Sequence, residues 1–151
     1  MSSVPTAGVP IQLGHVALRV RDVDRAVAFY TEVVGLRLRN KGRGVAFLGI
    51  REDASHELAL FGLPEGAPDP DPQRVGLYHL AWEMGSFADL EQLHARLLAH
   101  GARIVGYSDR QCNVMFLDPD GNEQEAIWEP SPDELARLEA PGGPGLPRLA
   151  R

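Results

Sequence analysis

The chain has 151 residues, 44% of them hydrophobic and 24% charged, with a formal net charge of −6. That is the make-up of a single globular domain, and it excludes a disordered chain, a collagen and a coiled coil. The acidic balance lacks the basic footprint that a nucleic-acid partner needs, and no run of about 18 apolar residues is present to span a membrane.

Residues 1–12, with Pro5 and Pro10, read as a leader. Nothing in it has the basic-then-apolar pattern of a signal peptide. A first strand candidate follows, His15-Val16-Ala17-Leu18-Arg19-Val20. Asp22 is then a good N-cap for a helix whose Val23, Ala26, Val27, Tyr30, Val33 and Val34 recur at steps of three and four, with Gly35 placed to end it. Three strands are expected next, at Leu36–Asn40, Val45–Ile50 and His56–Phe61. The segment 62–76 carries Pro64, Pro68, Pro70 and Pro72, which exclude helix and central strand, so it reads as a linker.

A second block, 77–129, repeats the order of the first, 13–61. His79-Leu80-Ala81-Trp82-Glu83 matches the opening strand at a constant offset of 79 − 15 = 64. Ser86 caps a helix carrying Phe87, Leu90, Leu93, Leu97 and Leu98, and Gly101 ends it. Strands are expected at Ala102–Gly106, Asn113–Leu117 and Glu123–Trp128, the last two joined by the turn Asp118-Pro119-Asp120-Gly121-Asn122. Each block is thus β-α-β-β-β, and two copies point to half-domains around a pseudo-twofold axis. In the tail, 130–151, Ser131-Pro132-Asp133-Glu134 announces a helix over about 132–139, beyond which the chain reads as frayed.

Side chains alternate along a strand, so Val16, Leu18 and Val20 share one face, and His15, Ala17 and Arg19 the other. The fifth strand repeats this with Leu80 and Trp82 opposite His79, Ala81 and Glu83. A face bearing a histidine, an alanine and a charge makes a poor core and a good cavity wall. In the last strand Glu123 and Glu125 share a face; Glu57 opens a similar run, Glu then three apolar residues, at an offset of 125 − 57 = 68. Two imidazoles and a carboxylate converging from different strands suit a divalent metal with open positions. A fourth carboxylate would favour Lewis-acid chemistry. His56 and Glu57 are adjacent, so on a regular strand only one of them faces the cavity. His94 and His100 read as solvated, and Cys112, the one cysteine, as a small buried residue with no disulfide partner, which fits a reducing cytoplasm.

Leu13-Gly14-His15-Val16-Ala17-Leu18, the helix Ala26–Tyr30 and the hairpin Asp118–Glu125 together resemble the vicinal oxygen chelate superfamily. That group holds glyoxalase I, bleomycin- and fosfomycin-resistance proteins, methylmalonyl-CoA epimerases and extradiol dioxygenases. The resemblance implies an α+β fold: paired βαβββ modules forming a cupped, incompletely closed eight-stranded mixed barrel with helices outside. It places the metal on His15, His79 and Glu125. Ser55-His56-Glu57-Leu58-Ala59-Leu60-Phe61 is most similar to the catechol-2,3-dioxygenase branch, which implies His56 as a proton-transfer residue, Fe(II) as the metal and O₂ as co-substrate. Mn, Ni, Zn or Co would serve the alternative, a glyoxalase- or epimerase-like lyase or isomerase using Glu57 as a fourth ligand or base. A third reading is a protein that sequesters a small-molecule drug. The resemblance also implies a homodimer. Two positions depart from the dioxygenase pattern: Met115 stands where those enzymes carry a tyrosine, and no histidine occurs near Ser108 or Asp109.

Overall fold

A computed structural model describes residues 7–108 and 111–151, so the start of the leader and Asp109 lie outside the described residues. The element order is β1 (Val16–Val20), α1 (Val23–Ala28) running into a π-helical stretch (Phe29–Val34), β2 (Arg37–Gly42), β3 (Val45–Gly49), β4 (Leu58–Gly62), β5 (Leu80–Glu83), α2 (Phe87–His100), β6 (Ile104–Gly106), β7 (Cys112–Leu117), β8 (Glu123–Trp128) and α3 (Pro132–Glu139). The expected β-α-β-β-β order holds twice, and the fold is α+β.

Each repeat builds its own four-stranded mixed sheet. The first has the order β1-β4-β3-β2, the second β5-β8-β7-β6. In both, the opening strand runs parallel to the last strand of its repeat, because the helix carries the chain back across the sheet. The sheets do not close into a barrel. The even-numbered face of β1 packs inward: Leu18 and Val20 are buried, as are Leu58 and Leu60 of β4. Leu90, Leu93 and Leu97 of α2 are fully buried, each contributing about 1.5–3 kcal/mol of apolar burial.

The helix caps form as read. Asp22 Oδ1 accepts from the Asp24 and Arg25 amides, and the Ser86 hydroxyl accepts from the Asp89 amide. Ser131 and Glu134 form a complete capping box on α3. The first helix departs from expectation: its second half is π-helical, and the Gly35 and Leu36 amides both donate to Tyr30 O. Thr31 Oγ1 donates back to Val27 O at 2.8 Å, a bond of the kind that loosens a helical ladder. The wider turn buries Phe29 with Tyr30 and Val33 with Val34, as adjacent pairs on one face.

Two further expectations are corrected. His94 is 5% exposed, its Nε2 at 2.8 Å from Tyr107 Oη. Histidine on a helix reads as solvated only until something packs over it, and here Tyr107 does, its ring centre 5.6 Å from that of His94. The tail is not frayed: Leu146 and Leu149 pack against the core, Cys112 Sγ donates to Pro147 O at 3.2 Å, and the Arg151 guanidinium lies 5.3 Å from the Tyr107 ring centre. Among the described residues, no helix is long and apolar enough to cross a membrane.

Candidate metal centre

The two sheets present the same kind of open face. On the second sheet the register pairs Ala81 of β5 with Glu125 of β8, and Glu125 in turn with Met115 of β7. His79 stands just before β5, on the face of Ala81. Its Nε2 lies 3.3 Å from Glu125 Oε2. Glu125 is only 9% exposed, an unusual position for a carboxylate unless partners hold it. Its other oxygen, Oε1, accepts from Asn113 Nδ2. Asn113 is itself buried, and its Oδ1 accepts from the Ser108 amide at 2.7 Å. His79 Nδ1 is buried and has no hydrogen-bond partner among the described residues.

On the first sheet His15 is exposed, just before β1. Its ring centre lies 4.6 Å from that of His56, which packs edge-on against Phe47 at 4.9 Å. His56 Nδ1 pairs with Ser55 Oγ at 3.0 Å. His56 precedes β4 rather than belonging to it, so strand alternation does not dictate where its ring points. The sequence-level conflict between His56 and Glu57 is removed in this way.

Glu57 is engaged elsewhere. Its Oε2 accepts from the Ile50 amide at 2.8 Å and its Oε1 from Arg51 Nε at 2.9 Å. Partial burial pushes its carboxyl up, but these bonds and the Arg51 charge outweigh that and hold it below the ordinary glutamate range.

The register also corrects the symmetry read from sequence. Val16 pairs with Leu58, and Leu80 with Gln124, so the repeats superpose at an offset of 124 − 58 = 66 along this strand rather than 68. The counterpart of Glu125 is Ala59, which pairs with Ala17 as Glu125 pairs with Ala81. The counterpart of Glu57 is Glu123. Sliding a strand by two residues keeps every side chain on its face, so the pattern alone could not detect the error.

Of the three residues expected to converge, the structure brings His79 and Glu125 together and leaves His15 with His56. Among the described residues, no group of three or more His, Cys, Asp or Glu side chains is arranged to hold a metal ion. The His79–Glu125 pair itself fits one. Two donors bonded at about 2.1 Å to one ion stand roughly 3.0–3.4 Å apart for octahedral to tetrahedral angles, and the pair is separated by 3.3 Å. Imidazole and carboxylate are the donor types for first-row divalent metals. A cleft of about 1550 Å³ lies elsewhere, lined by Ala17, Arg19, Phe61, Tyr78 and Glu123 among others, without His15, His56, His79 or Glu125.

Sequence reasoning missed Asn113 as a site residue. The available signal was its parity with Glu125 across the hairpin turn, in a strand otherwise made of apolar residues and Cys112. Cys112 is buried, which pushes its thiol above the ordinary cysteine range.

Residues 12–126 match the Glyoxalase/Bleomycin resistance protein/Dioxygenase superfamily. The chain belongs to that family. It is 31% identical over 112 residues to the catechol-2,3-dioxygenase of Bacillus subtilis strain 168, a match that covers 73% of this chain and 39% of that protein. Its fold is similar to the crystal structure of a glyoxalase/dioxygenase from Nostoc punctiforme, with a TM-score of 0.69, 26% identity and coverage of 87% of this chain and 99% of the other. It is also similar to the lactoylglutathione lyase from Agrobacterium tumefaciens, with a TM-score of 0.59, 26% identity and coverage of 79% and 94%.

Proposed function

We propose that this chain is a divalent-metal enzyme that opens a catecholic ring with O₂, in the manner of an extradiol dioxygenase. The observation that carries the reading is the His79–Glu125 pair, a histidine and a buried carboxylate at 3.3 Å on an open sheet face. His15 is the third ligand. One chain does not assemble the three, so His15 is supplied by a second copy in a homodimer. The segments before β1 and β5 support that arrangement, since Ile11, Leu13, Val75, Leu77 and Tyr78 are apolar and exposed.

The bound ion, Fe(II) in this reading, supplies a Lewis acid that lowers the pKa of a substrate hydroxyl. The chain's own groups do the rest. Glu125 and His79 would hold two coordination positions, and Ala81, opposite Glu125 and two residues beyond His79, adds only a methyl group to that face. His56, tilted against the His15 ring with Nδ1 paired to Ser55, is the group that would move a proton, through Nε2. Phe47, against the His56 ring, offers an apolar wall to an aromatic substrate.

The test is anaerobic reconstitution with Fe(II), followed by a catechol and an oxygen electrode. Ring cleavage gives a yellow product with matching O₂ uptake, lost on chelation and in His79→Ala. No O₂ uptake across simple and fused catechols overturns the reading.

The likeness to a lyase favours one alternative, metal-dependent proton transfer at carbon. Solvent deuterium exchange into substrate without O₂ uptake marks it. Glu57 would be its base, yet that carboxylate is tied to Ile50 and Arg51, so Glu57→Gln at full activity removes this version.

A further inference from the structure

We infer that Asn113 is the positioning residue that sets Glu125 as a one-oxygen ligand. The inference rests on the proposed role of Glu125 and extends it to a residue outside the metal-binding set. Asn113 is 4% exposed. It lies on β7 beside Met115, the strand partner of Glu125, and points to the same face. A buried amide in such a place must spend its donors and acceptors on specific partners.

Those partners fix its orientation. The Ser108 backbone amide can only donate, so the atom facing it at 2.7 Å is Oδ1. The amide nitrogen then faces Glu125 and donates to Oε1. Flipping the amide would oppose two donors at Ser108 and two acceptors at Glu125. The carboxylate is therefore held by one oxygen, and the other, Oε2, is presented towards His79 Nε2 at 3.3 Å.

The chemistry of the partner matters as much as its position. Asn113 is neutral, so it orients Glu125 without cancelling the negative charge that a cation needs. The other engaged carboxylate, Glu57, shows the contrast: it is clasped by the Arg51 guanidinium, and its charge is spent there. One glutamate is thus kept available and the other consumed, although both belong to similar runs of sequence. Partners of this kind typically change metal affinity by about 10–100-fold when removed.

The experiment is a Co(II) titration of the full chain, read by visible absorption and by competition with a chromophoric chelator. Four proteins are compared: wild type, Glu125→Ala, Asn113→Leu and Asn113→Thr. Leucine keeps the bulk of Asn113 without its bonds. Threonine suits a strand and its hydroxyl sits one bond closer to the backbone than either Asn113 amide atom, so it too breaks the bond to Glu125 and stands in should the leucine variant fail to fold. Expected are Co(II) binding in wild type, its loss in Glu125→Ala, and about 10–100-fold weaker binding with a shifted absorption spectrum in the Asn113 variants. A merely structural role would lower thermal stability and leave the spectrum of the folded protein unchanged. Wild-type affinity and spectrum in a folded Asn113 variant, with binding lost in Glu125→Ala, overturns the positioning role alone. Unchanged binding in Glu125→Ala overturns the ligand assignment, and the positioning role with it.

Discussion

Tyr30 Oη donates to Asp118 Oδ2 at 2.8 Å, across 88 residues of chain. Tyr30 is fully buried, and Asp118 is 5% exposed. The bond ties the helix of the first repeat to the β7–β8 turn of the second. Burial and the neighbouring Asp118 carboxylate both push the tyrosine hydroxyl well above its ordinary range, so it remains a donor throughout. Around it, Asp118 Oδ1 accepts from the Asp120 and Asn122 amides, and Asp120 Oδ1 meets Arg21 and Arg25 of the first repeat. The residues that form the turn also join the modules.

Tyr30→Phe should therefore cost about 1–3 kcal/mol, the range for leaving a buried acceptor short of a charge-assisted bond. Asp118 keeps its bonds from Asn122 and Asp120, which places the loss towards the lower end. Urea denaturation measures it. A neutral outcome would mean that the turn alone satisfies Asp118.

His94 gives the fold a pH dependence. Burial holds its pKa below the ordinary histidine value. A neutral base with a depressed folded pKa leaves the unfolded chain binding more protons, so the contribution is full above the unfolded pKa of about 6.5 and is lost as pH falls through the folded value. Melting temperature should drop between neutral and mildly acidic pH. In His94→Gln, which can still pair with Tyr107, that slope should flatten. An unchanged slope would assign the acid sensitivity to other groups.

The tail is a structural part of the second repeat. Leu149 is 8% exposed and belongs to the core cluster, so Leu149→Ala should cost about 2–5 kcal/mol, tempered by its place at the edge. Removing residues 146–151 should uncover Cys112, which is 4% exposed. Its reaction with a thiol reagent in native buffer should then speed up markedly. Equal rates with and without the tail would show that the thiol is shielded by other segments.

Gly49 is required by a close approach. A Cβ there would sit 2.8 Å from Arg39 Nε and 3.1 Å from Glu57 Oε2. Gly49→Ala should break the bond from the Ile50 amide to Glu57 and cost about 1–3 kcal/mol, read by thermal melting. If Arg39 simply swings out, stability will be near wild type.

The repeats, the helices and their caps, the hairpin turn and α3 were legible because each depends on neighbours within a few residues: an N-cap and its amides, a glycine after a helix, a proline run. The face of each strand was legible too, since alternation has a period of two. That same period hid the register. Glu57 and Glu125 were matched by pattern, whereas strand pairing matches Glu125 with Ala59. The π-helical stretch, the burial of His94 and the docking of the tail depend on packing between distant segments, which periodicity does not encode.

From the amino-acid order alone came two βαβββ units, the side of each sheet that is open, and the histidines and acids that stand on it. Only the assembled chain decided that Glu125 meets His79 with one oxygen and Asn113 with the other, that His15 stands with His56, and that Glu57 is taken by Arg51. The reason is physical. Local preferences fix which way a side chain points, but which two side chains meet is set by register and by the packing of one module on the other.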